Sequence, residues 1–487
     1  MSPSIAPERK WLALALLAAA QFVVVLDASI VNVALPSIGR ELQFSQDDLS
    51  WVINAYTLTF GGFLLLGGRM ADLLGRRRLF LSGLILFALA SLAGGLAQNA
   101  GQLIAARAVQ GLGGALLSPA ALSLVTVMFT EGADRNKAFG VWGAVAGSGG
   151  AVGVLLGGML TQWAGWEWVL FVNVPIALGV AFMAPRLLPE SRNAGARHFD
   201  VAGAVSITAG LSILVYALID ATNAGWTSTQ TLGLIGVAVA LVAGFVAIEL
   251  SSRAPLMPFP GIFRIRTISG INLTALFIAM ALFSMFFFVS LYMQQVLGFD
   301  ALEAGLAYLP LALGIIVSAG VASVLTTRFG FKPVLIAGLL LTAGGLTWFS
   351  QVSPEGSYVS DVLFPSLLAA AGLGFAFVPM TIAAVSGVEG HEAGLASGLI
   401  NTSQQIGGAL GLAILATIAN GRTSDVAAAG VPLPVALTEG FQRAFTVGAG
   451  FAVFGAVLAM LLISNRASRE HAQAAQRGEI EPIPVAA

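Results

Sequence analysis

Apolar stretches of about 20 residues recur along the whole chain, and each is long enough to cross a bilayer as a helix. Breaks at charged or Pro/Gly-rich positions divide them into fourteen predicted spans: 11–34, 49–68, 79–97, 104–129, 138–160, 168–185, 201–219, 231–250, 268–297, 303–326, 332–350, 361–385, 393–419 and 444–464. No soluble domain of useful size fits between them. Of 487 residues, 57% are hydrophobic and 10% charged, where a soluble domain carries about a quarter charged residues. An all-α membrane protein is expected. With no cysteine, there is no disulfide framework, thiol nucleophile or cysteine metal site to consider.

Arg9 and Lys10 before an apolar run, followed by the small residues Ala18 to Ala20, imitate a secretory signal. The run continues past Asp27, so it reads instead as the first span. The net charge of −1 says little, whereas the placement of the bases says more. Nineteen of them, among them Arg9, Lys10, Arg76, Arg77, Arg78, Arg192, Arg197 and Arg253, fall on the side of the N-terminus if spans alternate. Arg40, Arg422 and Arg443 fall on the other side, and Arg107 lies within a span. The positive-inside rule then sets both termini in the cytoplasm, and miscounting by one helix would spoil the segregation.

A weak internal repeat relates Gly68–Arg77, after the second span, to Ser323–Lys332, after the tenth; only Gly75/Gly330 and the trailing base match. Two halves of six helices with an added pair between them explain that spacing: 1–190, then 191–260, then 261–470, with a cytoplasmic tail at 471–487. Parallel halves around a midplane site are a transporter architecture.

Asp27 stands alone in its apolar run, where a carboxylate costs several kcal/mol on insertion scales. Counting about 1.5 Å per residue sets it roughly 24 Å from the cytoplasmic end, at the depth expected of Arg107 near the start of the fourth span. An acid and a base facing one cavity compensate each other. Burial favours the neutral acid and a guanidinium favours the carboxylate, an opposition that suits reversible protonation. Gln110 shares a helix face with Arg107. Gly143 with Gly147, and Gly149 with Gly153 and Gly157, form small-residue stripes that let helices approach and slide. Gly68 and Gly75 suit a tight turn carrying Asp72 and Arg76, where a carboxylate among bases can act as a charge-linked latch. Asn32, Asn54, Asn272, Asn401 and Gln404 interrupt apolar faces, as helix–helix hydrogen bonds or substrate contacts. Phe277, Phe283, Phe286, Phe287 and Phe288 cluster in the ninth span, one edge of which suits an adaptable hydrophobic surface.

No phosphate-loop motif is present, so ATP hydrolysis is not supported. His198, His391 and His471 fall in expected loops or the tail, without metal-ligand pairing, and read as solvated. No paired acid/base or metal constellation suggests an embedded enzyme, and no cofactor or nucleic-acid partner is implied. From the residues alone, proton-linked export, proton-linked uptake and a non-transporting receptor or scaffold all stay open.

Several strings together resemble the major facilitator superfamily, in particular its fourteen-helix drug:proton antiporters. They are Asp27 to Pro36, Gly68 to Arg77, Arg107 to Gly111, Trp166-Glu167-Trp168 with Phe171-Val172-Asn173-Val174-Pro175, and Ala393 to Asn401. The likeness covers nearly the whole chain. It implies a cell-membrane exporter that exchanges protons for a hydrophobic drug or antibiotic. Carried over by position, Asp27 and Arg107 would couple protons, while Gly68, Asp72, Gly75 and Arg76, with Gly153 and Gly157, would serve conformational exchange. Asn32, Asn54, Gln110, Asn272, Phe283, Phe287, Asn401 and Gln404 are the candidate substrate contacts. Two departures stand out: Val154 where that family's pattern has proline, which leaves the hinge in question, and Glu167 where it has arginine.

Overall fold

The computed structural model describes residues 7–44, 49, 51–129, 132–191, 200–251, 261–386, 388 and 393–477. Arg192, Arg197, Arg253, His198, His391 and the last ten residues of the tail lie outside them. The long helices are α1 (Pro7–Glu41), α2 (Trp51–Leu74), α3 (Arg76–Gly95), α4 (Ala100–Met128), α5 (Gly132–Trp163), α6 (Asn173–Leu187), α7 (Val201–Ala224) and α8 (Thr229–Ser251). They continue as α9 (Arg266–Leu291), α10 (Leu309–Phe329), α11 (Phe331–Phe349), α12 (Phe364–Ala384), α13 (Ala393–Ala428) and α14 (Leu433–Leu462), and a polar helix α15 (Asn465–Arg477) follows.

Among the described residues, thirteen helices are long and apolar enough to cross a membrane, and α5 makes a fourteenth. It stays helical but bends by 42° between Asp134–Gly150 and Val152–Trp163. Ser148, Gly149 and Gly150 sit at the bend, and such small-residue runs kink helices without proline. Val154 therefore does not cost α5 its bend. Beyond it, a Cβ at Gly153 would strike Ser29, and one at Gly157 would lie 2.8 Å from the Ile30 carbonyl, so α5 rides directly on α1.

Two helices outrun their apolar stretches. α13 continues nine residues past 419, and α14 starts eleven before 444. A helix needs satisfied backbone groups rather than apolar side chains to go on. Proline near the start suits α14, because its missing N–H belongs to the orphan first turn. Arg422 and Arg443, expected in loops, consequently lie in helices, and Arg422 Nη2 meets Glu439 Oε2 at 2.6 Å between the projecting ends.

The turn after α2 is made by Gly75 alone, whose φ of 111° excludes other residues without strain. Gly68 and Asp72 belong to the helix rather than to the turn. Gly68 instead allows contact: a Cβ there would hit the Gly394 carbonyl and come within 3.1 Å of Gly398 Cα. The matching turn between α10 and α11 uses Gly330 at φ 84°. Lys332, two residues on, donates to the Met460 and Ile463 carbonyls at 2.7 and 2.8 Å, capping the end of α14.

Two seams join the earlier and later helices: α2 against α13, and α5 against α10. α7 lies along the first, where Ile207 and Leu211 pack with Leu65 of α2 and with Leu395 and Leu399 of α13. Trp226, in the turn after α7, donates to Thr417 of α13 at 2.9 Å. α15 lies beneath the second seam. His471 is buried there, its Nε2 3.0 Å from Asn136 Oδ1 of α5 and its ring beside Phe331, so the expected solvated tail histidine is corrected.

Gly68→Val should lower stability by about 1–3 kcal/mol through overpacking. Gly179→Val, where nothing lies within 4 Å of a Cβ, should be near neutral. Thermal melts in detergent compare them, and equal losses would contradict the close α2–α13 contact.

Candidate functional site

Asp27 of α1 is fully buried and Arg107 of α4 is 1% exposed. Arg107 Nη1 donates to Asp27 Oδ2 at 2.5 Å and to Gln110 Oε1 at 2.7 Å. Its Nε donates to the Val52 carbonyl at 3.0 Å, and its guanidinium lies 4.4 Å over the Tyr56 ring. Two positions on one face of α2 thus clamp the base, one through the backbone and one through the ring. Asp27 Oδ1 accepts from Gln110 Nε2 and from Asn173 Nδ2, both at 2.8 Å. Asn173 Nδ2 also reaches Ser91 Oγ at 3.1 Å, and Ser91 donates to the Leu170 carbonyl at 2.8 Å.

Four helices therefore meet at one carboxylate and one guanidinium, and α3 joins them through Ser91 and Asn173. Burying both charges is tolerable only because their remaining donors and acceptors are also engaged. The carboxylate has three donors, and the guanidinium has a carboxylate, two carbonyl oxygens and an aromatic face. Such a group of atoms can do little bond-making chemistry. It can change its internal balance when one proton is added.

A second cluster lies at the other end of α2, about 30 Å from Val52 by helix rise. Asp72 is buried, and Arg76 donates to its Oδ1 at 3.2 Å from Nε and 2.7 Å from Nη2. The same carboxylate accepts the backbone N–H groups of Gly394 and Leu395 at 3.1 and 3.0 Å. These are unpaired donors at the start of α13, where the helix dipole favours an anion. At the corresponding end of α10, Thr327 Oγ1 accepts from Asn136 Nδ2 of α5 at 2.8 Å. One seam is closed by a charge and the other by a neutral hydrogen bond.

Of the eight candidate substrate contacts, Gln110 alone touches the Asp27 pair. Asn32 is exposed and donates to Ala28 of its own helix. Asn401 likewise donates to Ser397 within α13. Asn272 is buried, bonded to Ile268 and accepting from Ser403 of α13 at 3.0 Å. Phe283 and Phe287 are 43% and 41% exposed on α9, with Phe283 against Gly408. Asn54 and Gln404 are half-buried on α2 and α13.

Asn173, Ser91, Tyr56 and Val52 are the members sequence reasoning missed. An amide at the start of an apolar helix was a usable signal for Asn173. A backbone carbonyl carries no sequence signal at all.

Residues 17–412 match the family model described as Major Facilitator Superfamily. The chain is 41% identical over 466 residues to the puromycin resistance protein pur8 of Streptomyces alboniger, covering 94% of this chain and 92% of that protein. It is 41% identical over 454 residues to the cephamycin export protein CmcT of Amycolatopsis lactamdurans, covering 92% and 91%. In three dimensions it is similar to the human organic anion transporter MFSD10 (TETRAN), with a TM-score of 0.65 at 16% identity, over 93% of this chain and all of that one.

A carboxylate can take up a proton when its partner is lost, whereas a guanidinium cannot release one. Asp27→Asn should therefore destabilise the protein more than Arg107→Met, by about 1–3 kcal/mol, the value of a hydrogen bond to a buried charge. Thermal unfolding in detergent measures both, and a larger loss for Arg107→Met would contradict the geometry.

Proposed function

The chain belongs to the major facilitator superfamily, and on that footing we propose that it exports hydrophobic drugs or antibiotics across the cell membrane in exchange for protons. Relatives named for puromycin resistance and cephamycin export, each 41% identical over more than nine-tenths of this chain, support the direction and the substrate class. The observation that carries the proton is the buried Asp27–Arg107 pair, ringed by Gln110, Asn173, Val52 and Tyr56.

In this reading the chain has two six-helix halves, 1–190 and 261–470, with α7 and α8 added between them and both termini in the cytoplasm. The Asp72 end of α2 is then the cytoplasmic end, held shut here against α13. Protons arrive from outside at Asp27. Adding one removes the negative partner of Arg107, which lets the two bundles exchange an outward-facing for an inward-facing arrangement. Coupling requires that this single charge change alter the relative stability of the two states. One proton moving down 100 mV carries about 2.3 kcal/mol, enough for a useful substrate gradient. Breaking Asp72 from Gly394 and Leu395 opens the cytoplasmic seam, and Gly68, Gly75, Arg76, Gly153 and Gly157 shape that motion. Asn32, Asn54, Gln110, Asn272, Phe283, Phe287, Asn401 and Gln404 are proposed to meet the substrate.

Inverted vesicles containing the protein should accumulate puromycin, or another member of a panel of hydrophobic antibiotics, when an inward-acid gradient is imposed. Asp27→Asn should abolish that accumulation. Undiminished gradient-driven transport in Asp27→Asn would refute the role of the carboxylate. A rise in cellular drug content on expression would refute export.

A further inference from the structure

We propose that Asn173 is a positioning residue for Asp27, and that its side-chain amide turns over when the carboxylate is protonated. The inference rests on the reading that Asp27 gains and loses a proton. As the structure stands, every group hydrogen-bonded to Asp27 donates: Arg107 to Oδ2, and Gln110 and Asn173 to Oδ1, while the nearby Tyr56 hydroxyl makes no hydrogen bond to it. That ring suits a carboxylate. It does not suit a carboxylic acid, whose new O–H must itself find an acceptor or remain a buried, unpaired donor.

The three neighbours differ in what they can become. A guanidinium has five donors and no acceptor, so Arg107 cannot receive the O–H. Gln110 has a carbonyl oxygen, but Arg107 Nη1 already holds it at 2.7 Å, and turning that amide would break the contact with the base. Asn173 has a carbonyl oxygen that is buried and has no hydrogen-bond partner among the described residues. A half-turn about the last side-chain bond exchanges its NH₂ and C=O. The proton added to Asp27 then lies between carboxyl and amide, donated by Asp27 and accepted by Asn173 Oδ1.

The same half-turn reaches a second residue. Asn173 Nδ2 presently donates to Ser91 Oγ as well as to Asp27. After it, an acceptor faces Ser91, whose hydroxyl can swing from the Leu170 carbonyl onto Asn173. A proton on α1 is thereby registered on α3 and on the short helical turn Trp168–Phe171 that enters α6. In one state a buried carbonyl oxygen goes unpaired, and in the other a buried N–H takes its place. Neither arrangement is fully satisfied, so neither is locked against the other.

Infrared difference spectra of the purified full-length protein between acidic and alkaline pH test this. A carboxylic acid C=O band that vanishes in Asp27→Asn identifies the Asp27 proton. In Asn173→Leu that band should move to the position of an acid without a hydrogen-bond acceptor. Should this variant fold poorly, unmutated protein labelled with ¹³C at its asparagine side-chain carbonyls gives the second reading. A labelled carbonyl band should then change together with the Asp27 band and disappear in Asp27→Asn. An Asp27 band indifferent to Asn173→Leu, or no labelled carbonyl change, overturns the inference and leaves the proton reading standing. Absence of any Asp27 acid band overturns both.

Discussion

An anion and a cation at the core of an apolar bundle can be kept there only by one another and by hydrogen bonds that leave few of their atoms unpaired. The Asp27–Arg107 pair meets that condition by drawing on α1, α2, α3, α4 and α6 together. Removing any of these neighbours leaves a buried charge with one hydrogen bond or ring contact fewer. The pair therefore dictates how those helices are arranged, and a change in its charge is felt by all of them.

α2 carries that effect furthest. At one end its Val52 carbonyl and Tyr56 ring hold Arg107, and at the other Asp72 holds the first N–H groups of α13. One helix thus spans the distance between two buried charge clusters. Along its length, Gly68 lets it lie directly on α13, and α7 covers the joint. The second seam is built differently. There Asn136, Thr327 and His471 link α5, α10 and α15 by side-chain hydrogen bonds, and the glycine-rich α5 itself bends.

Most of the spans were legible in the chain, because a bilayer forces a minimum apolar length on each of them. The depth match between Asp27 and Arg107 was legible too, from helix rise alone. What could not be read were features set by contact rather than by pattern. Gly68 looked like a turn residue because glycine serves turns and close approaches equally. The ends of α13 and α14 were cut short because polarity marks where a bilayer stops, and a helix need not stop there. His471 was read as solvated because its helix is polar, yet the joint it fills brings together residues 136, 327 and 331, distant in sequence. Asn173 lies within a recognisable string, but its bond to Asp27 spans 146 residues and leaves no periodic trace.

In the proposed cycle the charge on Asp27 sets how tightly the Asp72 end closes. Because the chain contains no cysteine, spin labels can be attached at Leu74→Cys and Phe329→Cys alone, both exposed at that end. Distances between the labels, measured by pulsed electron paramagnetic resonance across a pH series, report closure directly. The distribution should shift with pH in the otherwise unmodified protein and stay in one position throughout the series in Asp27→Asn. The same pH-driven shift in both proteins would contradict that cycle.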